Sequence, residues 1–496
     1  RDNQVDAALL ANTLRYRLWT LTTLQSWRWD PQGANETISG SLYGLAARDF
    51  APWPDRLRSA TARMEKIPAM YLAMRASLDP ARVPQIFAKT VSDQNSGTLQ
   101  IAEGMLAPHK GELPSADAAR FERALAGLKA AVADQQRWLD AVLVPQAKGD
   151  FRLGPRLYDQ KLAFALDTPL TRPEIKARAV EAAADTRAEM YTIARQVLAG
   201  RPETPAIPVN PTAAQQQAAI EAALALTYTT APGRDQVIPT ATAALRQATA
   251  FVRAKGLVSV PDTPVGVIEM PKFRQGVAVA YCDSPGPLEQ QLGTFVAVSP
   301  IPDKWTDAQA TSFLREYNGY MIQDLAVHEA MPGHYLQLAH ANAGGSTLRA
   351  VLASGSSIEG WAVYAEGMMA DADYMNDPLF KLTVLKMRLR SITNTLLDIG
   401  IHAEGMTEGQ AMDLMTRGAF QQEREAAGKW TRARLSSTQL LNYFTGYTEH
   451  LDLRRAAEAR EGAEFDLKRY NDAVLAHGSP PVRYVRALMF REPIQP

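Results

Sequence analysis

One cysteine, Cys282, is the whole thiol complement of this 496-residue chain. A single thiol excludes an intrachain disulfide framework and a cysteine-rich zinc ribbon, so any metal must be held by histidine and carboxylate. Charge of one sign is lacking too, since lysine plus arginine and aspartate plus glutamate each number 53. With no polybasic patch either, no global field favours nucleic acid or anionic lipid as a partner. No run of about 18 apolar residues occurs, which argues against a membrane-spanning segment. What is there is 46% hydrophobic and 21% charged, the range of a soluble globular protein with a sizeable core. At roughly 150 residues per domain the length suggests about three domains, but large helical enzymes often form one two-lobed body around a cleft, and that is the expectation here. The chain opens at Arg1 rather than Met and enters a helical pattern at once, as expected where a leader, such as a signal peptide, has been removed or omitted.

Apolar residues recur at three- and four-residue steps through Leu9, Leu10, Leu14, Leu18 and Leu21, and similar periods fill residues 55 to 145. Thr171-Arg-Pro-Glu174 reads as a helix start, with Thr as cap, Pro in the first turn and Glu closing a capping box. Pro202 to Pro211 holds four prolines and cannot sustain a helix, which makes it a candidate boundary between an N-terminal helical lobe, 1–203, and a second lobe, 204–496. Within the second lobe the period changes at 265–299. Val265 to Met270, Gly276 to Tyr281 and Gly293 to Val298 read as short strands, the last either an ordinary core strand or, by analogy alone, an exposed edge for an extended peptide. Helices resume from Thr306, with breaks at Gly344-Gly345, Gly400 to Gly405 and Gly478 to Pro481. The expected fold class is mainly α with a small sheet beside the motif helix.

The informative stretch is His328-Glu-Ala-Met-Pro-Gly-His334. It resembles the H-E-x-x-H zinc motif with two residues inserted. Six steps of an unbroken helix turn about 600°, which leaves the two rings roughly 120° apart and unable to share an ion. Pro332 has no amide proton and its ring clashes with the carbonyl four residues back, while Gly333 tolerates unusual dihedrals. A bend there would swing His334 back toward His328 and give an HExxxxH variant of the motif. The plain alternative is a Pro-Gly helix terminus flanked by incidental histidines.

A catalytic zinc needs a third protein ligand and an open position for water. Glu359 and Glu366, seven apart and so on one helical face, are both candidates. Against Glu359 stands Ser356-x-x-Glu359, which also fits a capping box.

At this point the chain resembles the bacterial family known as domain of unknown function 885, whose members look like zincin-type metallopeptidases. The resemblance is carried by Gly149-Asp-Phe-Arg-Leu-Gly154 with Tyr158 and Leu162, by Ala280-Tyr281, and by the 328–334 motif with Gln337. It continues in Glu359-Gly-Trp-Ala-Val-Tyr-Ala-Glu366, Asp398-Ile-Gly-Ile-His402 and Leu453-Arg454. It implies a two-lobed, glutamate-zincin-like helical fold, with His328, His334 and Glu359 as zinc ligands and Glu329 as the catalytic carboxylate. It also implies export to the bacterial periplasm or secretion. Two positions depart from the family pattern. Ser437-Thr438 stands where Pro-Gly is usual before Gln439, and Asn471 stands where a histidine is usual.

The chemistry expected of such a site is zinc-dependent hydrolysis of peptide bonds in short peptides, with Glu329 taking a proton from the attacking water and later giving one to the leaving amine. Tyr443 is the candidate donor to the oxyanion. Glu366 is expected to accept a hydrogen bond from a ligating imidazole, and Asp398 with His402, four apart, to form an orienting pair or a polar wall of the cleft. His109, His340, His450 and His477 have no neighbours of metal type and read as surface or packing residues. Two other classes fit the same residues: a zinc hydrolase of a non-peptide amide or ester, and a metal-free binding protein that keeps the fold.

Overall fold

The computed structural model describes residues 1–494 except 271–278, 290–291, 304 and 345. The chain divides into two compact units, one of Arg17–Leu153 and one of Arg1–Tyr16 with Gly154–Pro496. Both are mainly helical, and no helix among the described residues is long and apolar enough to cross a membrane.

The Arg17–Leu153 unit packs the helices Gln32–Ala46, Trp53–Met64, Ile67–Ser77, Gln85–Gln94 and Ser115–Trp138 around buried Ile38, Leu42, Leu57, Met64, Phe121 and Leu128. Arg56 is buried among them because its guanidinium is saturated. It donates to the carbonyls of Leu45 and Ala46, both at 2.8 Å, and to Asp49 at 2.9 Å, and it lies 3.6 Å over the Trp53 ring.

In the other unit the Arg172–Leu198 helix starts at the expected capping box, the Thr171 amide donating to Glu174 at 2.8 Å. Its Met190, Tyr191, Ala194 and Leu198 pack against Ile220 and Leu224 of the Ala213–Thr227 helix and against Leu382, Leu385 and Leu389 of the Pro378–Ala403 helix. The helices on both sides of the proline-rich segment therefore share one core, and that segment is a connection inside a unit. The division at 203 expected from composition does not coincide with the one made by packing, which falls at Arg17 and Leu153. The proline signal marks where a helix must stop, not which core its neighbours join.

The sheet has the order β1-β3-β2, with β1 Val265–Glu269 parallel to β3 Thr294–Val298, and β2 Ala280–Asp283 antiparallel to it. The expected second strand began at Gly276, and its first three positions lie outside the described residues. An edge by analogy alone, β3 is instead the middle strand, so its backbone pairs on both sides. Its Val296, Ala297 and Val298 are buried, and such a continuous apolar run is what a covered central strand requires.

The helix that places most of the site, Gly355–Asp371, is buried around nearly its whole circumference. It crosses the Leu441–Glu461 helix backbone to backbone. A Cβ on Gly360 would lie 2.2 Å from the Gly446 carbonyl carbon, and one on Gly446 would lie 1.8 Å from the Ser356 oxygen. Glycine is needed at both positions for this approach, not for its dihedral freedom. Gly446→Ala is expected to cost about 3 kcal/mol or more in urea unfolding. Gly428→Ala, where a Cβ meets nothing within 4 Å, should leave stability unchanged or raise it, and similar midpoints for the two variants would contradict the crossing.

Candidate metal centre

The Gly319–Glu329 helix is started by Asn318, whose side-chain oxygen accepts from the amides of Tyr320 and Met321. It stops at Glu329, where Ala330 leaves the helical region at φ −131° and ψ −74°. The Met331-Pro332 peptide bond is cis, and a new helix, His334–Ala343, begins directly after Gly333. Gly333 folds back onto the helix it follows. Its amide donates to the Val327 oxygen at 2.9 Å, and a Cβ there would lie 1.9 Å from the His328 oxygen and 2.4 Å from that of Val327. The Pro332 carbonyl accepts from the Trp361 indole at 2.9 Å, which ties the break to the Gly355–Asp371 helix. The result is the pairing that six helical residues could not make. The rings of His328 and His334 lie 4.7 Å apart and nearly perpendicular, at 84°.

Glu359 completes the cluster. Its Oε2 is 3.4 Å from His334 Nε2 and 3.6 Å from His328 Nε2, and among the described residues these three form the one group of metal-ligating side chains with all donor atoms within 4.8 Å of one another. That oxygen is buried and makes no hydrogen bond. The spacing is long for a hydrogen bond but fits ligands of a shared ion, since two atoms about 2.0–2.1 Å from a tetrahedral centre lie roughly 3.3 Å apart. The residues present therefore fit a zinc ion. The capping role is not used: the helix is capped by Ser354, which accepts from the Ser357 amide. Burial opposes ionisation of Glu359, yet the two imidazoles hold its carboxyl well below the usual range.

Glu366 lies two turns on and meets the other side of the first imidazole, its Oε1 2.6 Å from His328 Nδ1. This fixes the ring so that Nε2 faces Glu359. Asp324, one turn before His328 and fully buried, was not anticipated from the sequence. Burial first and then the Glu366 charge raise its pKa well above the carboxylate range, with His328 opposing, and both its oxygens lack a hydrogen-bond partner. A neutral carboxyl is the form such surroundings allow.

All of this lies on a cleft of about 1080 Å³. Glu329 lines it, its Oε2 accepting from the Cys282 amide of β2 at 3.0 Å. Tyr443 lines it too, its ring 6.4 Å from that of His328 and its hydroxyl 3.4 Å from Arg432 Nη2. Burial, with the nearby Glu359 charge, raises the Tyr443 pKa and keeps the phenol a donor. The Glu423–Leu435 helix also lines it, through Lys429 and Arg432. Neither stood out in the sequence, because a helix this rich in charge reads as a solvated one.

The sequence profile of a family described as bacterial proteins of unknown function, DUF885, matches residues 1–489. The chain belongs to that family. A solved structure described as "a putative lipoprotein of unknown function from Shewanella oneidensis" is 34% identical, with a TM-score of 0.81 over 98% of this chain and 87% of its own. A second, "the putative lipoprotein from Colwellia psychrerythraea", is 18% identical with a TM-score of 0.71 over 88% of this chain and 76% of its own, a likeness of fold. No curated protein matches the chain.

Two expected site residues of this DUF885 protein lie elsewhere. Asp398 is fully buried away from the cleft lining and accepts from the Tyr158 hydroxyl at 2.7 Å and from the amides of Thr438 at 2.9 Å and Leu440 at 3.3 Å. His402 donates to the Ala433 carbonyl at 2.9 Å and stacks on Tyr158. Neither orients a ligand. Instead Asp398 anchors the turn that launches the Leu441–Glu461 helix, the helix that carries Tyr443. Within that turn Thr438 takes a left-handed φ of 64° where the family pattern has glycine, and the Asp398 bond to its amide helps to hold this costly conformation. Asn471, at the family's histidine position, accepts from Tyr364 at 3.0 Å and donates to the Leu257 carbonyl at 2.8 Å. It joins helices and has no part in the cleft. His340 and His450 likewise bond carbonyls, those of Ser259 and Ser357.

These placements separate candidate ligands from candidate supports. Glu359→Ala should lose stoichiometric zinc, whereas Glu366→Ala should bind it about 10–100-fold more weakly. Asp398→Ala should keep the metal but lose about 3 kcal/mol or more of stability, because three buried donors lose their acceptor. Elemental analysis and urea unfolding read the two effects separately, and full zinc in Glu359→Ala with none in Glu366→Ala would reverse the assignment.

Proposed function

We propose that this protein is a zinc-dependent peptidase of the glutamate-zincin type, with His328, His334 and Glu359 as ligands. The single observation that supports this reading most is the ligand spacing of 3.4 and 3.6 Å at an oxygen with no other partner, in a cleft shared with Glu329. Zinc held there would act as a Lewis acid on the scissile carbonyl and lower the pKa of a water.

Everything else in the reaction falls to the chain. Glu329, steadied by the Cys282 amide, takes the proton of the attacking water and passes one to the departing amine. Tyr443, kept protonated, donates to the oxygen on which negative charge builds. β2, a border strand of the sheet, lines the cleft through Ala280, Tyr281 and Cys282 and gives an extended peptide a direction along which to lie. The proposed ligands and Glu329 are buried or half-buried at this cleft, which suits chain ends and short peptides more readily than folded proteins. The lipoprotein descriptions of the two similar structures support an exported, periplasmic or extracellular protein.

Glu329→Gln is nearly isosteric and can still accept the Cys282 amide, but cannot take a proton. It should keep one zinc per chain and an unchanged unfolding midpoint while hydrolysis of a peptide library falls by about 10²–10⁴-fold. Loss of zinc together with activity would show that Glu329 is structural, and retained activity would remove it from the mechanism.

A further inference from the structure

Lys429 is the group in the cleft that the hydrolytic reading leaves without work. It is 6% exposed, and its amine has no hydrogen bond or ion pair among the described residues. Two acids of the same cleft are matched, while the neutral Asp324 has no hydrogen-bond partner among the described residues. Glu316 pairs with Lys386 at 2.9 Å, and Glu425 pairs with Arg390. The remaining carboxylates near Lys429 are committed, Glu425 to that arginine and Glu359 to the two imidazoles. Among the described residues two arginines of the same helix also lack a carboxylate: Arg432, which bonds the neutral Gln439 and Tyr443, and the exposed Arg424, which lies 4.4 Å over Trp305. A buried ammonium without a counter-ion is costly, so the amine is held toward its neutral form, and a carboxylate arriving beside it would let it take up a proton again.

We propose that Lys429, with Arg432 beside it, receives a carboxylate of the substrate next to the scissile bond. The inference rests on the hydrolytic reading for its meaning, since it places the anion beside Tyr443 and the zinc ligands. Burial, then Arg390 and Arg432, hold the Lys429 pKa well below its usual value, a penalty that an arriving carboxylate relieves. The carboxylate can belong to the last residue of a peptide, which would make the enzyme a carboxypeptidase, or to an acidic side chain. The requirement for one carboxylate at this point is common to both.

Binding decides this without turnover. Zinc-loaded Glu329→Gln protein is titrated calorimetrically with acetyl-Ala-Ala-Ala, with its C-terminal amide, and with acetyl-Ala-Ala-Asp amide. At least one of the two carboxylate peptides should bind about 10–100-fold more tightly than the uncharged amide. Preference for the free terminus identifies the α-carboxylate, and preference for the Asp peptide identifies a side chain. Adding Lys429→Met should bring the preferred peptide to the level of the uncharged one, and Lys429→Arg should recover part of the difference. Equal binding of all three peptides, binding of none, or a preference that survives Lys429→Met would overturn the proposal, and the first two outcomes need no variant at Lys429. Hydrolysis of the same peptides by the unmodified enzyme is scored apart: carboxylate-selective binding without hydrolysis sinks the peptidase reading alone, and hydrolysis without selectivity sinks the carboxylate subsite alone.

Discussion

Gly333 lies against the carbonyl of His328 with no room for a side-chain carbon, and the arrangement of the site follows from that contact. It converts two histidines that face different directions on a helix into a pair 4.7 Å apart. The proline before it ends the first helix, and the glycine after it lets the chain turn back onto the final turn. Trp361, reaching from the neighbouring helix to the Pro332 carbonyl, locks the turn to the element that carries Glu359 and Glu366. One backbone approach thus sets the spacing of all three proposed ligands. A second approach, at Gly360 and Gly446, brings in the helix that bears Tyr443. Both depend on missing side-chain atoms, so the site has little tolerance where it has no functional group at all.

The charges around the cleft show a division of labour. On one side Glu329, Glu359 and Glu366 surround two imidazoles, with the neutral Asp324 behind them, an excess of acid that makes sense beside a divalent cation. The Glu423–Leu435 helix contributes Arg432 and Lys429, the latter's amine held toward its neutral form by burial, neither with an acid partner among the described residues. A chain with zero formal charge overall has separated charge inside one cavity. Binding of a cation on the first side and an anion on the second would neutralise both.

The 328–334 motif could be read from the sequence because its chemistry is local: proline and glycine declare a break, and the break turns a wrong spacing into a required one. The helical class and the Thr171 capping box could be read for the same reason. What escaped was long-range. Asp398 and His402 have the right types and spacing for a pair, but which face of their helix meets the cleft depends on the crossing with its neighbours, and they face Tyr158 and the turn before Leu441 instead. The place of β3 in the middle of the sheet depends on β2 pairing across it, and the unit boundary depends on which helices share a core. Lys429 was invisible because a lysine on a charged helix reads as solvated until the wall it faces is known.

The account stands or falls on whether an ion occupies the space between His328, His334 and Glu359. X-ray diffraction collected on either side of the zinc absorption edge, from crystals of protein purified without added metal, locates that ion directly. The account predicts one strong anomalous peak about 2.0–2.1 Å from His328 Nε2, His334 Nε2 and a Glu359 oxygen. A peak held by other residues, or no peak with the two imidazoles and Glu359 joined only to each other, would contradict it.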